Sequence, residues 1–296
     1  MIRTSAFEDF IAPARHYPEI WRILLGILTA FLVYIIPLLL VFAAVGFFLP
    51  DMVFQAELAL EGADTPEAMF VLLATFITMG LGAVAAALWH QRGLASLIGP
   101  FRPACRNFSR AVLACGLVFL ITGGIVSLVF AEAPTPNLSF ELWASYLPLA
   151  LPLLLIQTGS EELIFRGYLM QQLAARFKSA VIWMGLPAIL FGAAHYNPNI
   201  DPNLAIMLIC ATGLFGLVAA DLTRVTGNLG AAIGFHFLNN FFALFLVSIA
   251  GEMSGLSLYH APFTMEDVDI LIPLICVDMV TVILAWVLLR RWLAPS

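Results

Sequence analysis

The chain contains 296 residues, of which 62% are hydrophobic and only 11% are charged. A soluble domain has about 45 to 50% apolar and about 25% charged residues, so this composition excludes a soluble globular protein and indicates a polytopic membrane protein. Lys and Arg number 13 against 19 Asp and Glu, and the net charge of -6 excludes a basic surface for nucleic acid.

Eight apolar runs follow one another along the chain, each near the roughly 20 residues that a spanning helix needs. They cover residues 23–50, 68–89, 111–131, 142–160, 179–200, 202–220, 225–251 and 270–289. Irregular backbone cannot satisfy its hydrogen bonds in hydrocarbon. The sequence therefore predicts an all-α bundle of about eight transmembrane helices in contact with the lipid bilayer.

The charges between these runs are asymmetric. When the connecting segments are assigned alternately to two sides, all 13 Lys and Arg fall on one side. The positive-inside rule makes that side, and with it both termini, cytoplasmic. The opposite loops carry only acidic charges, which are Asp51, Glu57, Glu61, Asp64, Glu67, Glu132, Glu141, Asp201, Glu252, Glu266, Asp267 and Asp269.

Ionisable residues inside apolar runs indicate pairing or function, because each costs about 2.5 to 3.5 kcal/mol at membrane depth on insertion scales. Two of them have simple explanations. Asp221 and Arg224 are three residues apart near the predicted cytoplasmic face, which favours a surface ion pair. Asp278 is alone, and we interpret it as a protonated or hydrogen-bonded interior carboxyl.

Two carboxylates and an arginine end the fourth run, in the segment EELIFR (residues 161–166). Glu162 and Arg166 are four residues apart and share a helical face, so Arg166 can hold Glu162 ionised. Glu161 is turned about 100° away around the helix and remains free for another task. The alternative explanation is a cluster of interfacial charges at a helix end.

Further polar side chains lie in the fifth and seventh runs. His195 follows Phe191 by four residues, in a segment whose small residues let a neighbouring helix approach closely. His236 and Asn240 are also four residues apart, so an imidazole and a carboxamide project from one stripe and suit a developing oxyanion. In each case the alternative is a hydrogen bond that joins two helices.

These positions form three ordered motifs, EExxxR, FxxxH and HxxxN: Glu161, Glu162 and Arg166; Phe191 and His195; His236 and Asn240. Within a bundle of about eight helices, this set resembles the CPBP (Abi) family of intramembrane proteases, which includes the prenyl-protein CAAX endopeptidases. The resemblance covers residues 142 to about 250. It implies an endopeptidase that acts on a membrane-associated protein or peptide, and we expect the chain in a bacterial inner (cytoplasmic) membrane.

The expected organisation has four parts. Residues 1–21 form a cytoplasmic N-terminal segment, and residues 22–141 form three transmembrane helices with their loops. Residues 142–250 form a CPBP-like catalytic core of four helices, and residues 251–296 supply an outer loop and the last helix.

The resemblance also implies roles for the motif residues. Glu161 would act as general base and His195 would position and polarise the water, while His236 and Asn240 form an oxyanion hole. Glu162 and Arg166 would orient the site. A zinc ion held by Glu161, His195 and His236 is the alternative cofactor, although the absence of an HExxH motif favours metal-free chemistry.

Two other functional classes remain open at this stage. Buried Glu, His and Arg residues also build proton relays in transporters, and an inactive relative would act as a binding or regulatory scaffold.

Geometry adds one further expectation. On a straight helix His195 lies about 24 Å from Ser179, too far along to meet His236, so the fifth run should be irregular after Lys178.

Overall fold

The computed structural model describes residues 3–48, 62–129 and 132–293. In chain order its α-helices are α1 (Ser5–Ile11), α2 (Ile20–Phe48), α3 (Pro66–Leu88), α4 (Leu94–Ile98), α5 (Phe101–Val129), α6 (Phe140–Glu162), α7 (Gln171–Arg176), α8 (Leu186–Ala193), α9 (Pro202–Thr226), α10 (Gly230–Phe241) and α11 (Val268–Leu293). A 3₁₀ turn, Ala12–His16, follows α1.

Three π-helical segments interrupt the α-helical pattern: π1 (Leu163–Met170), π2 (Val181–Gly185) and π3 (Phe242–Leu246). Three two-residue strands, β1 (Thr135–Pro136), β2 (Val247–Ser248) and β3 (Tyr259–His260), form a small sheet in the order β1-β3-β2. The β1/β3 pair is antiparallel and the β2/β3 pair is parallel.

Six helices of the described chain are long and apolar enough to cross a membrane: Ile20–Phe48, Pro66–Leu88, Phe101–Val129, Phe140–Arg176, Pro202–Thr226 and Val268–Leu293. The predicted class, an all-α polytopic membrane protein, is confirmed. The fourth of these helices is continuous through α6, π1 and α7, which places the EExxxR motif within one long helix.

The expectation of eight helices of similar length is wrong at the fifth and seventh runs. These runs form only the shorter apolar helices Val181–Ala193 and Gly230–Leu246. At 1.5 Å per residue such helices do not reach across a hydrocarbon core of about 30 Å. The apolar sequence continues beyond each helix, but there the backbone forms turns and strand β2. The length of an apolar run is therefore greater than the length of the helix in it.

The irregularity expected after Lys178 is present. Residues 177–179 are not helical, π2 follows at Val181–Gly185, and the α-helical part starts only at Leu186. Pro187 lies where π2 passes into α8, and its missing N–H cannot donate to the preceding turn of this helix. The helix ends at Ala193, so His195 lies in the turn after it.

Close helix packing surrounds the motif helices, as the small residues predict. A Cβ added at Gly192 on α8 would meet the Ile209 carbonyl of α9 at 2.7 Å. A Cβ added at Gly234 on α10 would meet the Phe108 carbonyl of α5 at 2.5 Å. Glycine is therefore needed at both contacts, where two helix backbones touch.

The two ends of the bundle differ in their structure. At one end the N-terminal segment docks through Arg3, which donates to the carbonyls of Ala174 (2.8 Å) and Phe177 (2.6 Å). Phe7 is fully buried there against Trp183, with ring centroids 5.0 Å apart. The other end carries the three-stranded sheet, in which β1 and β3 come from predicted outer loops and β2 from the end of the seventh apolar run.

We call the end at which the N-terminal segment docks the basic end. It also contains a buried polar cluster that the sequence analysis did not identify. His90 Nδ1 donates to the Tyr17 carbonyl (2.7 Å), and its Nε2 accepts from the Tyr168 hydroxyl (3.0 Å). Burial lowers the pKa of His90 and lowers that of Arg92 to about 10. A neutral His90 can accept the Tyr168 hydrogen bond, which ties the segment after α3 to π1.

Some predictions lie outside the described residues. These are the end of the first run at residues 49–50, the end of the third run at 130–131, and the outer-loop acids Asp51, Glu57 and Glu61.

Candidate active site

Two helices bring most of the motif side chains together near the basic end of the bundle. Glu161 and Glu162 are the last residues of α6, and Arg166 follows in π1. His236 and Asn240 lie one turn apart on α10, whose residues contact α6. The EExxxR and HxxxN motifs therefore meet across one helix interface.

Glu162 and Arg166 form the ion pair that their spacing predicts. Arg166 Nη1 donates to Glu162 Oε1 at 2.9 Å, and the two side chains are 1% and 0% exposed. Arg166 Nη2 also donates to the Gly216 carbonyl of α9 at 3.0 Å, and its guanidinium lies 4.8 Å from the centre of the Phe191 ring. Arg166 is thus held by three separate elements.

Both carboxylates of the motif contact the same histidine. Glu162 Oε1 accepts from His236 Nδ1 at 2.9 Å, and Glu161 Oε2 lies 3.4 Å from His236 Nε2. Glu161 makes no ion pair with Arg166 in the described chain, and His236 links it to the Glu162 pair. The two carboxylates do diverge around α6, but the imidazole is wide enough to present one nitrogen to each.

The hydrogen-bond partners define where the protons of His236 lie. Glu162 is an acceptor, so Nδ1 carries a hydrogen and Nε2 faces Glu161. In a neutral ring Nε2 is a lone pair, which would oppose a second lone pair on an ionised Glu161. Glu161 Oε2 and His236 Nε2 can therefore form a hydrogen bond only when a proton lies between them.

Glu161 itself is buried, with 8% of its surface exposed. Its Oε1 accepts from Gln157 Nε2 at 2.8 Å. Within the described chain its Oε2 is enclosed and has no hydrogen-bond partner of good geometry. Glu161 Oε1 thus has a hydrogen-bond donor, whereas Oε2 is available to accept a hydrogen bond.

The structure places His195 apart from this cluster. Its side chain is exposed, its Nδ1 donates to the Phe191 carbonyl at 2.8 Å, and its ring lies 4.8 Å from that of Phe191. Phe191 also contacts His236, with ring centroids 5.9 Å apart. Across the described residues no hydrogen bond or ion pair joins His195 to Glu161 or His236.

Gln157 is a site residue that the sequence analysis missed. Asn240 Nδ2 donates to Gln157 Oε1 at 2.9 Å, and Gln157 in turn donates to Glu161. The available signal was a polar residue in an otherwise apolar run, four residues before Glu161 and thus on its face. The neighbouring Asn239 also takes part, because its Nδ2 donates to Asn240 Oδ1 at 3.2 Å.

The residues proposed for zinc do not fit a metal site as arranged. Glu161 and His236 converge, but His195 does not join them. Among residues 3–48, 62–129 and 132–293, no three His, Cys, Asp or Glu side chains group closely enough to hold a metal ion.

The Asp221 and Arg224 pair exists, but the expectation that it lies at the surface is wrong. Arg224 donates to Asp221 Oδ1 at 2.7 and 2.9 Å, and the two residues are 4% and 2% exposed. Trp286 Nε1 donates to Asp221 Oδ2 at 2.9 Å, and Arg290 lies 3.3 Å from the same oxygen. α11 covers the pair, which a spacing argument on α9 alone cannot show.

Arg166→Ala should lower the free energy of unfolding by about 3 to 5 kcal/mol, because it leaves the buried Glu162 carboxylate without its main counter-charge. Thermal or denaturant unfolding in detergent would measure the loss. Arg176→Ala is the matched control, since Arg176 is an exposed arginine at the end of α7. Equal stability of the two variants would contradict the role of the ion pair.

Comparisons with known proteins agree with the motifs. Residues 143–242 match the family described as "Type II CAAX prenyl endopeptidase Rce1-like". The chain is also 32% identical over 120 residues to the "Uncharacterized protein YyaK" of Bacillus subtilis (strain 168), an alignment that covers 40% of this chain and 39% of that protein. No solved structure matches the chain. The resemblance drawn from the motifs is thus confirmed, since residues 143–242 of this multi-pass membrane protein match the Rce1-like protease family.

Proposed function

We propose that this protein is an intramembrane endopeptidase that hydrolyses a peptide bond in a membrane-associated protein or peptide. The observation that carries the proposal is the buried Glu161 carboxylate, whose enclosed Oε2 faces His236 Nε2 at 3.4 Å without a well-formed hydrogen bond. The name of the matched family suggests prenylated CAAX-type proteins as the substrate class.

In the proposed reaction a water molecule binds at Glu161 Oε2 and attacks the carbonyl carbon of the scissile bond. Glu161 takes one proton from the water as its oxygen forms the new C–O bond. The tetrahedral intermediate then collapses, the C–N bond breaks, and the same proton passes from Glu161 to the leaving amine.

The charge that develops on the carbonyl oxygen needs donors. Asn240 Nδ2 and a protonated His236 Nε2 lie on the same side of α10 and can supply them. Glu162 fixes the orientation of His236 through Nδ1, and Arg166 holds Glu162 in place. These two residues act as positioning residues.

His195 has a narrower part in this proposal. Since its Nδ1 donates to a carbonyl, its Nε2 is an acceptor and can bind a hydrogen of the attacking water. Phe191 stands beside both His195 and His236, and we propose that a movement of α8 brings His195 to the water. We assign this movement to substrate binding.

We further propose that both termini are cytoplasmic and that the membrane is a bacterial inner membrane. The docked N-terminal segment lies at the same end of the bundle as Arg176 and Lys178, which the positive-inside rule assigns to the cytoplasm. His236 lies six residues into α10, about 9 Å from that end. Cleavage would thus occur in the cytoplasmic half of the membrane.

Glu161→Gln should lower proteolysis of a membrane-anchored CAAX reporter by about 10²- to 10⁴-fold, because the amide cannot accept the proton of the water. Glu141→Gln is the control, since Glu141 is an exposed carboxylate at the other end of α6. Turnover in purified, reconstituted protein would measure the effect. Unchanged cleavage in Glu161→Gln would contradict the role of Glu161 as the base. An absence of cleavage by the wild-type protein would instead support a scaffold, or a transporter if vesicles also show proton flux.

Extensive chelation should leave the activity intact, because we propose that Glu161 activates water without a metal. Elemental analysis of the purified active enzyme should then find far less than one zinc per chain. Loss of activity on chelation, with recovery on addition of zinc, would contradict the metal-free mechanism and make Glu161 and His236 ligands.

Asn240→Ala should lower kcat by about 10²- to 10³-fold with little change in KM, as expected for a donor that acts on the transition state. Asn203→Ala is the control, because Asn203 is exposed at the start of α9. Asn239 is unsuitable as a control because it is hydrogen-bonded to Asn240. A wild-type kcat in Asn240→Ala would assign Asn240 to helix packing.

A further inference from the structure

The amides beside the two carboxylates form one directed hydrogen-bond chain. Asn239 donates to Asn240 (3.2 Å), Asn240 donates to Gln157 (2.9 Å), and Gln157 donates to Glu161 Oε1 (2.8 Å). Gln157 is 5% exposed and stands in the middle. It is the one member of this chain that contacts both the general base and the oxyanion donor proposed above.

The carboxylate determines the direction of every bond in the chain. An ionised Glu161 can only accept, so Gln157 must turn its NH₂ group toward it. The oxygen of Gln157 then faces α10 and requires a donor, which is the NH₂ group of Asn240. Glu161 on α6 thereby sets which edge of the Asn240 amide points toward the site.

Gln157 also distinguishes the two oxygens of Glu161. Its N–H occupies Oε1, whereas Oε2 is the enclosed oxygen that faces His236. Oε2 is therefore the oxygen that no amide occupies, and we assign to it the proton of the water. A single amide thus selects the basic oxygen and aligns the amide donor on the opposite helix.

We propose that Gln157 is a positioning residue for catalysis, which sets Glu161 Oε2 and Asn240 Nδ2 relative to each other. The proposal rests on the endopeptidase function proposed above. In this proposal Asn240 Nδ2 donates to Gln157 Oε1 before the reaction and to the developing oxyanion of the substrate in the transition state. One hydrogen bond is exchanged for another as the transition state forms, while Glu161 keeps its Gln157 contact.

The test uses two nearly isosteric substitutions one residue apart on α6. Gln157→Met retains the length of the side chain but removes its donor and acceptor. Thr158→Val is the control, because the buried Thr158 hydroxyl donates to the Leu154 carbonyl of its own helix and does not contact the site. Both proteins would be purified and reconstituted as full chains, with thermal unfolding to match their folded fractions.

The first readout is steady-state proteolysis as a function of pH. Loss of a positioning partner outside the reacting atoms typically costs about 10- to 100-fold in activity, and we expect this loss in kcat of Gln157→Met with KM little changed. The acid limb of its kcat profile should move to higher pH, because the ionised carboxylate has lost a donor. Thr158→Val should retain the wild-type kcat and pH profile.

The second readout is independent of proteolysis. Infrared titration of the Glu161 carboxyl band, identified by its absence in Glu161→Gln, should show a midpoint at higher pH in Gln157→Met than in Thr158→Val. A wild-type infrared midpoint together with a wild-type kcat in Gln157→Met, or equal effects in both variants, would overturn the proposal. If the wild-type protein cleaves nothing, the endopeptidase function fails, and the infrared midpoint alone decides whether Gln157 controls Glu161.

Discussion

The buried Glu162 carboxylate is the group on which the rest of the site depends. An ion of this size costs several kcal/mol to remove from water, so its partners must be held in place by the fold. Arg166 comes from π1 and His236 from α10, and Arg166 reaches on to the Gly216 carbonyl of α9. One negative charge thus fixes three helices relative to one another, and it orients the imidazole that faces Glu161.

Departures from regular α-helix adjoin all three motifs. π1 begins directly after Glu162, π2 precedes the FxxxH helix, and π3 begins two residues after Asn240. A π segment changes the angle at which successive side chains leave the helix, and such segments occur frequently at functional sites. Here one π segment lies in the long helix Phe140–Arg176, and one lies in each of the shorter helices Val181–Ala193 and Gly230–Leu246.

The sequence predicted those features that depend on composition or on local spacing. The membrane class follows from the apolar runs, and the Glu162 to Arg166 pair follows from a separation of four residues on one helix. The contacts that the sequence could not predict all join different elements. Whether His236 meets one carboxylate or two depends on how α10 packs against α6, and the burial of Asp221 depends on α11.

The lengths of the fifth and seventh helices were also beyond prediction. Apolar side chains mark residues that avoid water, but they do not distinguish a helix in lipid from a turn or strand enclosed by other helices. The position of His195 could not be predicted for the same reason. It lies past the end of α8, and the sequence gives no measure of how far that turn stands from Glu161.

The small sheet at the other end of the bundle determines which helices can separate. β1 leads into α6, β2 continues from π3 after α10, and β3 pairs with both strands. Trp143 on α6 donates to the Phe245 carbonyl of π3 at 2.9 Å, which adds a second tie at that end. α6 and α10 are thus joined twice at the sheet end, whereas Glu161 lies at the opposite end of α6. Separation of α6 from α10 at the sheet end therefore requires that both ties break, whereas the exposed His195 lies in the turn after α8, outside both ties.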